Sequence, residues 1–221
     1  METKLKNRTQ IQTEILQICR HLHARNLLAA ADGNLSYRMS DQEILITPTG
    51  VTKAFMTLEE VAVINLQGDV ISGHPSSERL MHLEIFRRCP KAKAVIHAHP
   101  PTAIAWTLAR PELKELPADS LPEVILAAGR IPIVPYARPG TQEMGDALGA
   151  YLPECRALIM ARHGAVCWGE DFDEAYRGME RIEHASLILA KAVQLGGLSR
   201  LPLEEIEALY ELRRKLGEKL L

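Results

Sequence analysis

The stretch AVIHAHPPTA, residues 94–103, joins an apolar run, two histidines two positions apart and a double proline. Its apolar part predicts a β-strand over KAVIHAH (93–99), ended by Pro100 and Pro101, and Pro101 suits the first turn of a following helix. Side chains two residues apart in a strand lie on one face of the sheet. His97 and His99 would therefore point the same way and could bind one metal ion.

A second His-x-His sequence, HLH (21–23), provides a contrast within the same chain. It lies in a segment, 8–25, whose apolar residues recur at helical spacing, and residues two apart on a helix diverge by roughly 200°. The alternative for His97 and His99 is a pair of histidines with ordinary hydrogen-bond partners at a strand end. His163, next to Gly164 after another apolar strand, favours the metal interpretation, because three neutral imidazoles and an open position are the ligands of a catalytic zinc.

Composition narrows the class of protein. A net charge of −2 gives no basic excess for nucleic acid, and we expect no nucleic-acid partner. The polar N-terminus resembles no secretory signal, and no apolar run is long enough to span a membrane, so we expect neither secretion nor a membrane partner. The four cysteines lack CxxC spacing, which favours free thiols in a reducing, cytoplasmic location. The chain length predicts a single domain over 1–221.

Helical and strand patterns alternate along the chain, which predicts a mixed α/β fold. IPIVPY (131–136) contains two prolines, so it can form only an edge or irregular strand. The predicted helices cover residues 8–25, 76–88, 101–110, 122–128, 141–152, 171–196 and 202–220; the other predicted strands cover 43–47, 61–66 and two short segments within 157–169.

Three further motifs carry polar groups suited to an anionic ligand. In GHPSSERLMH (73–82), Ser76 and Ser77 offer hydroxyls near a helix start, and Glu78 follows directly, although a serine there is also an ordinary N-cap. The predicted loops DGNLS (32–36) and TPTG (47–50) each combine a glycine with Asn or Thr donors. Each motif alone is weak, and their order along the chain is what makes them informative.

GNLS, ITPTG, PSSE, HAH and RHG, in this order and spacing, resemble the class II aldolase/adducin family over roughly residues 8–195. The resemblance implies a single-domain, three-layer α/β/α fold with a mostly antiparallel central sheet. It also implies a homotetramer with active sites at the subunit interfaces and one Zn²⁺ per subunit. A small sugar phosphate would be the ligand.

The resemblance also assigns roles to individual residues. It implies that zinc is bound by His97, His99 and His163, and that Glu78 is the acid/base and can also contact the metal. The substrate phosphate would be held by residues of the three polar motifs: Asn34, Thr49, Gly50, Ser76 and Ser77. In the epimerases of the family an Asp stands at the position of Glu78, and adducins lack the zinc ligands, so this combination favours an aldolase.

One position departs from the aldolase pattern. Aligned on AAG (127–129), Glu123 takes the place where the fuculose-1-phosphate aldolases of the family carry a Tyr from a neighbouring subunit. Glu123 is either a solvated carboxylate at a helix start or a second acid/base, as in the methylthioribulose-1-phosphate dehydratases of the family.

The expected activity is zinc-dependent cleavage of a ketose 1-phosphate into dihydroxyacetone phosphate and an aldehyde. The substrate would be fuculose-1-phosphate-like, with 5-deoxyribulose or 5-methylthioribulose 1-phosphate as further candidates. Two alternatives stand beside it: a methylthioribulose-1-phosphate dehydratase-like lyase, and a non-catalytic, adducin-like zinc-binding interaction domain.

Overall fold

A computed structural model describes residues 6–217 and 219–221. One mixed sheet of eight strands runs through it, in the spatial order β4-β3-β2-β1-β5-β8-β7-β6. Within the described residues every neighbouring pair is antiparallel except β6 and β7. The strands are β1 (Asn34–Ser40), β2 (Glu43–Ile46), β3 (Ala62–Ile64), β4 (Val70–Ser72), β5 (Ala94–Ala98), β6 (Ile133–Val134), β7 (Ala157–Met160) and β8 (Gly164–Gly169).

Helices cover both faces of this sheet. They are α1 (Arg8–Ala24), α2 (Arg79–Arg88), α3 (Pro101–Ala109), α4 (Pro122–Ala128), α5 (Gln142–Leu148), α6 (Phe172–Gln194) and α7 (Leu203–Lys215). One apolar core lies between the sheet and α1, α3, α4 and α6, and a second lies between the opposite face and α2 and α5. Helix α7 packs on α4. The result is the expected three-layer α/β/α arrangement.

Alternation along β5 shows why this strand must be central. Ala94, Ile96 and Ala98 belong to the first core and Val95 to the second, and all five strand residues are buried. Because both faces are covered, the strand is apolar throughout apart from His97. Helix α3 follows at once, with Pro100 at its N-cap and Pro101 as its first residue, which confirms the prediction for the double proline.

The predicted helices and strands are confirmed, with shifted ends. Helix α2 begins at Arg79 with Glu78 as N-cap, so Ser76 and Ser77 precede the helix. Strand β5 ends at Ala98, so His99 follows the strand. The prediction for IPIVPY is confirmed, because β6 keeps only two residues at the edge of the sheet. Helix α7 ends at Lys215, short of the predicted 220.

One part of the prediction was wrong. DGNLS was assigned to a loop, but Asn34 is the first residue of β1, which pairs with both β2 and β5. The polar residues Asn34 and Ser36 are buried on the face towards α2, and Leu35 lies in the opposite core. A strand whose buried face is polar therefore does not show the usual contrast of apolar core and polar surface. The three exposed residues of β4 were missed as well.

In the described residues we find no helix of the length and apolarity that crossing a bilayer requires. All four cysteines are free thiols.

Candidate functional site

Three histidines meet where β5 and β7 end and β8 begins. His97 lies in β5 opposite Val166 of β8, His99 follows β5, and His163 lies in the turn between β7 and β8. One ring nitrogen from each of the three lies within 4.8 Å of the others, and the Nε2 atoms of His97 and His99 are 3.0 Å apart. The structure therefore brings together the three residues expected to bind a metal.

The surroundings of the rings suit a bound divalent cation. His97 Nδ1 donates to the carbonyl oxygen of Ala165 at 2.8 Å, which leaves Nε2 as a lone-pair donor facing the other rings. His99 Nδ1 lies 3.6 Å from Oδ2 of Asp32. A hydrogen bond such as the one to Ala165 fixes the orientation of a metal-binding imidazole. Burial, together with His97 and His163, lowers the pKa of His99 to about 3, so its ring is neutral and can act as a ligand.

Gly164 lets β8 approach the two strand-end histidines. A methyl group on its Cα would lie 2.5 Å from the Ala98 carbonyl oxygen, 2.8 Å from His99 Cδ2 and 2.9 Å from His97 Cε1. These separations are too short for any side chain. The glycine after His163 is thus required by the close contact between β8 and the rings of His97 and His99.

Glu78, at the N-cap of α2, completes the group. Its Oε1 lies 3.1 Å from His163 Nε2, and its Oε2 lies 3.3 Å from His97 Nε2 and accepts a 2.7 Å hydrogen bond from Asn34 Nδ2. Burial alone would raise the pKa of Glu78, but the adjacent His163 and His97 together outweigh it and hold that pKa below its ordinary value. The carboxylate is ionised and close enough to contact a metal or a substrate carbon.

A cavity of about 360 Å³ opens beside this group. A β-bridge between Pro48 and Pro75 precedes the lining residues of both segments, and beside it Thr49 N donates to His74 O and Ser76 N donates to Thr47 O. The bridge joins the two predicted anion-binding segments side by side. All five residues expected to hold phosphate line this cavity, together with Glu78, His99 and His163: Asn34, Thr49, Gly50, Ser76 and Ser77.

Lys53 also lines the cavity, and the sequence interpretation missed it. The residue is 3% exposed, and its ammonium group donates to the carbonyl oxygens of Ala31 and Val51 at 2.7 and 2.8 Å. Burial lowers the pKa of Lys53. The available signal was its place three residues after the glycine of ITPTG. A buried cation without a paired carboxylate is well placed to meet an anion.

His21, His23 and Glu123 lie apart from the cluster. His21 and His23 contact different rings, Tyr176 and Phe55, as expected for residues that diverge on a helix. Glu123 is exposed in the first turn of α4 and does not line the cavity formed by its own chain.

Comparison with known proteins finds a matching family model and similar enzymes. The model of the Class II Aldolase and Adducin N-terminal domain matches residues 13–189. A 3-oxo-tetronate 4-phosphate decarboxylase of Pectobacterium atrosepticum is 30% identical over 190 residues, covering 85% of this chain and 87% of that protein. An L-fuculose phosphate aldolase of Methanococcus maripaludis is 32% identical over 174 residues, covering 79% and 93%.

A solved structure shares the fold as well. The Escherichia coli protein YgbL superimposes with a TM-score of 0.86 and 28% sequence identity, covering 93% of this chain and 100% of that one. The family model spans most of the sheet, the three histidines, Glu78 and the cavity wall. The chain therefore belongs to the class II aldolase and adducin family.

Proposed function

We propose that this chain is a divalent-metal-dependent aldolase that cleaves a ketose 1-phosphate into dihydroxyacetone phosphate and an aldehyde. The observation that carries the proposal is the contact of Glu78 with His97 and His163 beside a cavity lined by serine, threonine and asparagine donors. Both named relatives are enzymes that break carbon–carbon bonds of sugar-derived phosphates, which argues against the non-catalytic alternative.

His97, His99 and His163 would hold the ion, which we propose to be Zn²⁺, and Glu78 is close enough to join them before substrate binds. The ion, when bound, supplies Lewis-acid stabilisation of negative charge on the substrate's carbonyl and neighbouring hydroxyl oxygens. Three neutral imidazoles leave its charge largely uncompensated, so it can act on an anionic ligand. The fixed Nδ1 bond of His97 keeps that imidazole turned towards the site.

Glu78 carries out the proton transfer in this proposal. Cleavage breaks the C3–C4 bond, its electron pair remains on C3 as an enediolate, and the C4 hydroxyl loses its proton as C4 becomes an aldehyde. Glu78, after taking up a proton from solvent in the cavity, delivers it to C3 to give dihydroxyacetone phosphate; this proton balances the one lost from the C4 hydroxyl. Its carboxylate lies at the junction of histidines and cavity, where a substrate carbon would be within reach.

The phosphate would occupy the part of the cavity formed by the bridged segments. Ser76, Ser77 and Thr49 offer hydroxyls there, and Gly50 offers backbone that no side chain covers. Asn34 Nδ2 gives one hydrogen to Glu78 and keeps a second one for a phosphate oxygen. Binding energy from this remote group would position the reacting bond.

Decarboxylation of a 3-oxo sugar-acid phosphate is a second candidate, because a decarboxylase is similar to this chain over the same span as the aldolase. Decarboxylation and aldol cleavage share their second step, the protonation of an enediolate. Loss of CO₂ from the carbon next to the carbonyl also leaves an enediolate, which needs one proton from Glu78 to become dihydroxyacetone phosphate. The leaving group alone distinguishes the two reactions.

We also propose a homotetrameric assembly in which Glu123 of one subunit serves a neighbour's cavity. Glu123 is exposed on its own chain, so it is available to a neighbour. There it would accept the proton of the C4 hydroxyl. Elimination of water in place of cleavage, the dehydratase alternative, would use the same carboxylate.

The decisive experiment measures dihydroxyacetone phosphate release from a panel of ketose 1-phosphates and from 3-oxo-tetronate 4-phosphate, with aldehyde, CO₂ and dehydrated ketone assayed in parallel. We expect aldehyde to accompany dihydroxyacetone phosphate. Glu78→Gln should lower kcat by about 10²–10⁴-fold, the usual contribution of general acid–base catalysis. Full activity in Glu78→Gln, or metal binding without any turnover, would contradict the mechanism. Glu123→Gln serves as the companion variant.

A further inference from the structure

We infer that His82 is a positioning residue that orients the side-chain amide of Asn34 and, through it, holds Glu78. His82 is fully buried in α2, with Nδ1 2.6 Å from Ser36 Oγ and Nε2 2.5 Å from Asn34 Oδ1. Asn34 Nδ2 donates to Glu78 Oε2 at 2.7 Å. The catalytic meaning of this chain of hydrogen bonds rests on the proposed role of Glu78.

The fold brings two residues of β1 together with one of α2 and the N-cap of that helix, although β1 and α2 are far apart in the sequence. Asn34 and Ser36 are two residues apart in β1, so they lie on the same face of the sheet, towards α2. His82 lies one helical turn after Glu78, so both face β1. Asn34 is also the register partner of His97 on the neighbouring strand β5. The hydrogen-bonded chain thus runs directly behind the candidate metal ligands.

Glu78, at the end of this chain of hydrogen bonds, determines which atom donates in each bond. An ionised carboxylate only accepts hydrogen bonds, so the nitrogen end of the Asn34 amide must face Glu78. The oxygen end then faces His82, and Nε2 of His82 must carry the hydrogen. Nδ1 is left as an acceptor for the Ser36 hydroxyl. A reversed amide would place its oxygen against the Glu78 carboxylate and leave two acceptors in contact.

His82 is suited to this role because it stays neutral. The ring is fully buried, and the groups that face it are the Ser36 hydroxyl and the Asn34 amide oxygen. Burial lowers its pKa to about 3, with a further contribution from His97. A neutral imidazole has one donor and one acceptor, which match the Asn34 amide oxygen as acceptor and the Ser36 hydroxyl as donor. Lysine or arginine could not supply both.

Without the hydrogen bond from Asn34, the imidazoles of His97 and His163 alone would determine the position of the Glu78 carboxylate. Each lies within 3.3 Å of one of its oxygens. The Asn34 bond is a further restraint on Oε2. Loss of the His82 donor would release the Asn34 amide, and we expect kcat to fall while KM changes little, because the other phosphate-binding residues remain in place: Thr49, Gly50, Ser76 and Ser77.

The test compares His82→Met, which removes both ring nitrogens, with His82→Gln, whose amide nitrogen can take the place of Nε2. We expect kcat to fall about 10–100-fold in His82→Met, the usual effect of outer partners of a metal site, with KM within about threefold of the wild type. His82→Gln should recover most of kcat. His184→Met, at an exposed position of α6, is the control. A folded His82→Met enzyme with unchanged kcat would overturn the inference.

A second readout does not depend on activity. Nitrogen–proton correlation spectra of metal-free protein containing isotope-labelled histidine report which ring nitrogen of His82 carries its hydrogen. We expect the hydrogen on Nε2, and we expect Ser36→Ala to shift the Nδ1 signal. A hydrogen on Nδ1 would overturn the inference even if His82→Met fails to fold. If no substrate turns over, the proposed function fails, while the spectra still decide the hydrogen-bonded chain.

Discussion

Glu78 Oε1 lies 3.1 Å from Nε2 of His163, although one residue caps α2 and the other lies in the turn between β7 and β8. The contact joins the helix on one face of the sheet to the end of two central strands. A carboxylate and a ring nitrogen at this distance, next to two further imidazoles, form a cluster whose members share one small volume. A divalent cation would replace their mutual contacts with stronger ones.

Metal binding should therefore stabilise the fold. Saturation with Zn²⁺ at about 100 times its Kd is expected to add about 2.7 kcal/mol to the free energy of unfolding, and a chelator should remove that gain together with activity. Urea unfolding with and without metal measures it. His163→Gln should abolish the gain, whereas His184→Gln, on the exposed side of α6, should keep it. Equal stabilisation of both variants would place the metal elsewhere.

Gly164→Ala should damage this cluster without removing a ligand. The added methyl would lie within 2.9 Å of His97 and His99 and 2.5 Å from the backbone oxygen of Ala98, which cannot move aside. We expect metal affinity to fall about 10–100-fold, as for loss of an outer partner, and stability to fall by about 1–3 kcal/mol from overpacking. Competition with a chromophoric chelator measures the affinity.

The matched control for that variant is Gly197→Ala. Gly197 has a φ of 135°, so alanine there is strained by its backbone, yet nothing lies within 4 Å of the added methyl. It should cost stability without changing metal affinity. A parallel loss of metal affinity in both variants would mean that destabilisation, and not the clash at the histidines, is responsible.

The sequence predicts the metal ligands better than it predicts their support. His97 lies near the end of an apolar strand, and His163 lies in the turn that follows another, next to Gly164. Strand β1 was missed because Asn34 and Ser36 are polar yet buried, and their burial depends on His82, a residue far away in the chain. Leu35, on the opposite face of β1, already showed the alternation of a strand. Lys53 was missed because a lone lysine after a loop carries no pattern.

The buried ion pair of Arg156 with Glu174 should cost more stability to break than an exposed ion pair. Arg156 Nη1 lies 2.7 Å from Glu174 Oε1, both side chains are less than a tenth exposed, and the guanidinium stacks on Trp168 at 4.4 Å. Arg156→Met leaves a buried carboxylate without its cation, so we expect a loss of about 3–5 kcal/mol in urea unfolding. Arg110→Met, which breaks an exposed pair with Glu112, should cost less than about 1 kcal/mol. Equal losses would refute the distinction.

Lys53 gives the cavity a pH-dependent affinity. Burial lowers its pKa because the charged form loses hydration, and the opposing effect of Cys19, Asp32 and Glu78 is smaller. A lowered lysine pKa means that the unfolded chain binds more protons than the folded one near that pKa, so Lys53 makes stability rise with pH there. A bound phosphate dianion would favour the charged ammonium and raise the pKa again. Phosphate affinity should then weaken as pH rises through the lowered pKa.

Lys53→Met should separate this charge from the neutral donors of the cavity. Loss of a hydrogen bond to a charged group costs about 1.5–3 kcal/mol, so we expect KM for a sugar phosphate, and the Kd for inorganic phosphate, to rise about 10–100-fold. The alkaline weakening of phosphate binding should disappear in the variant, because no titrating ammonium remains. Calorimetric titration with phosphate across the alkaline range measures both effects. Lys191→Met, at an exposed position of α6, is the control. If Lys53→Met binds phosphate as the wild type does, with the same alkaline weakening, Lys53 serves only to join the loops of Ala31 and Val51 through their carbonyl oxygens.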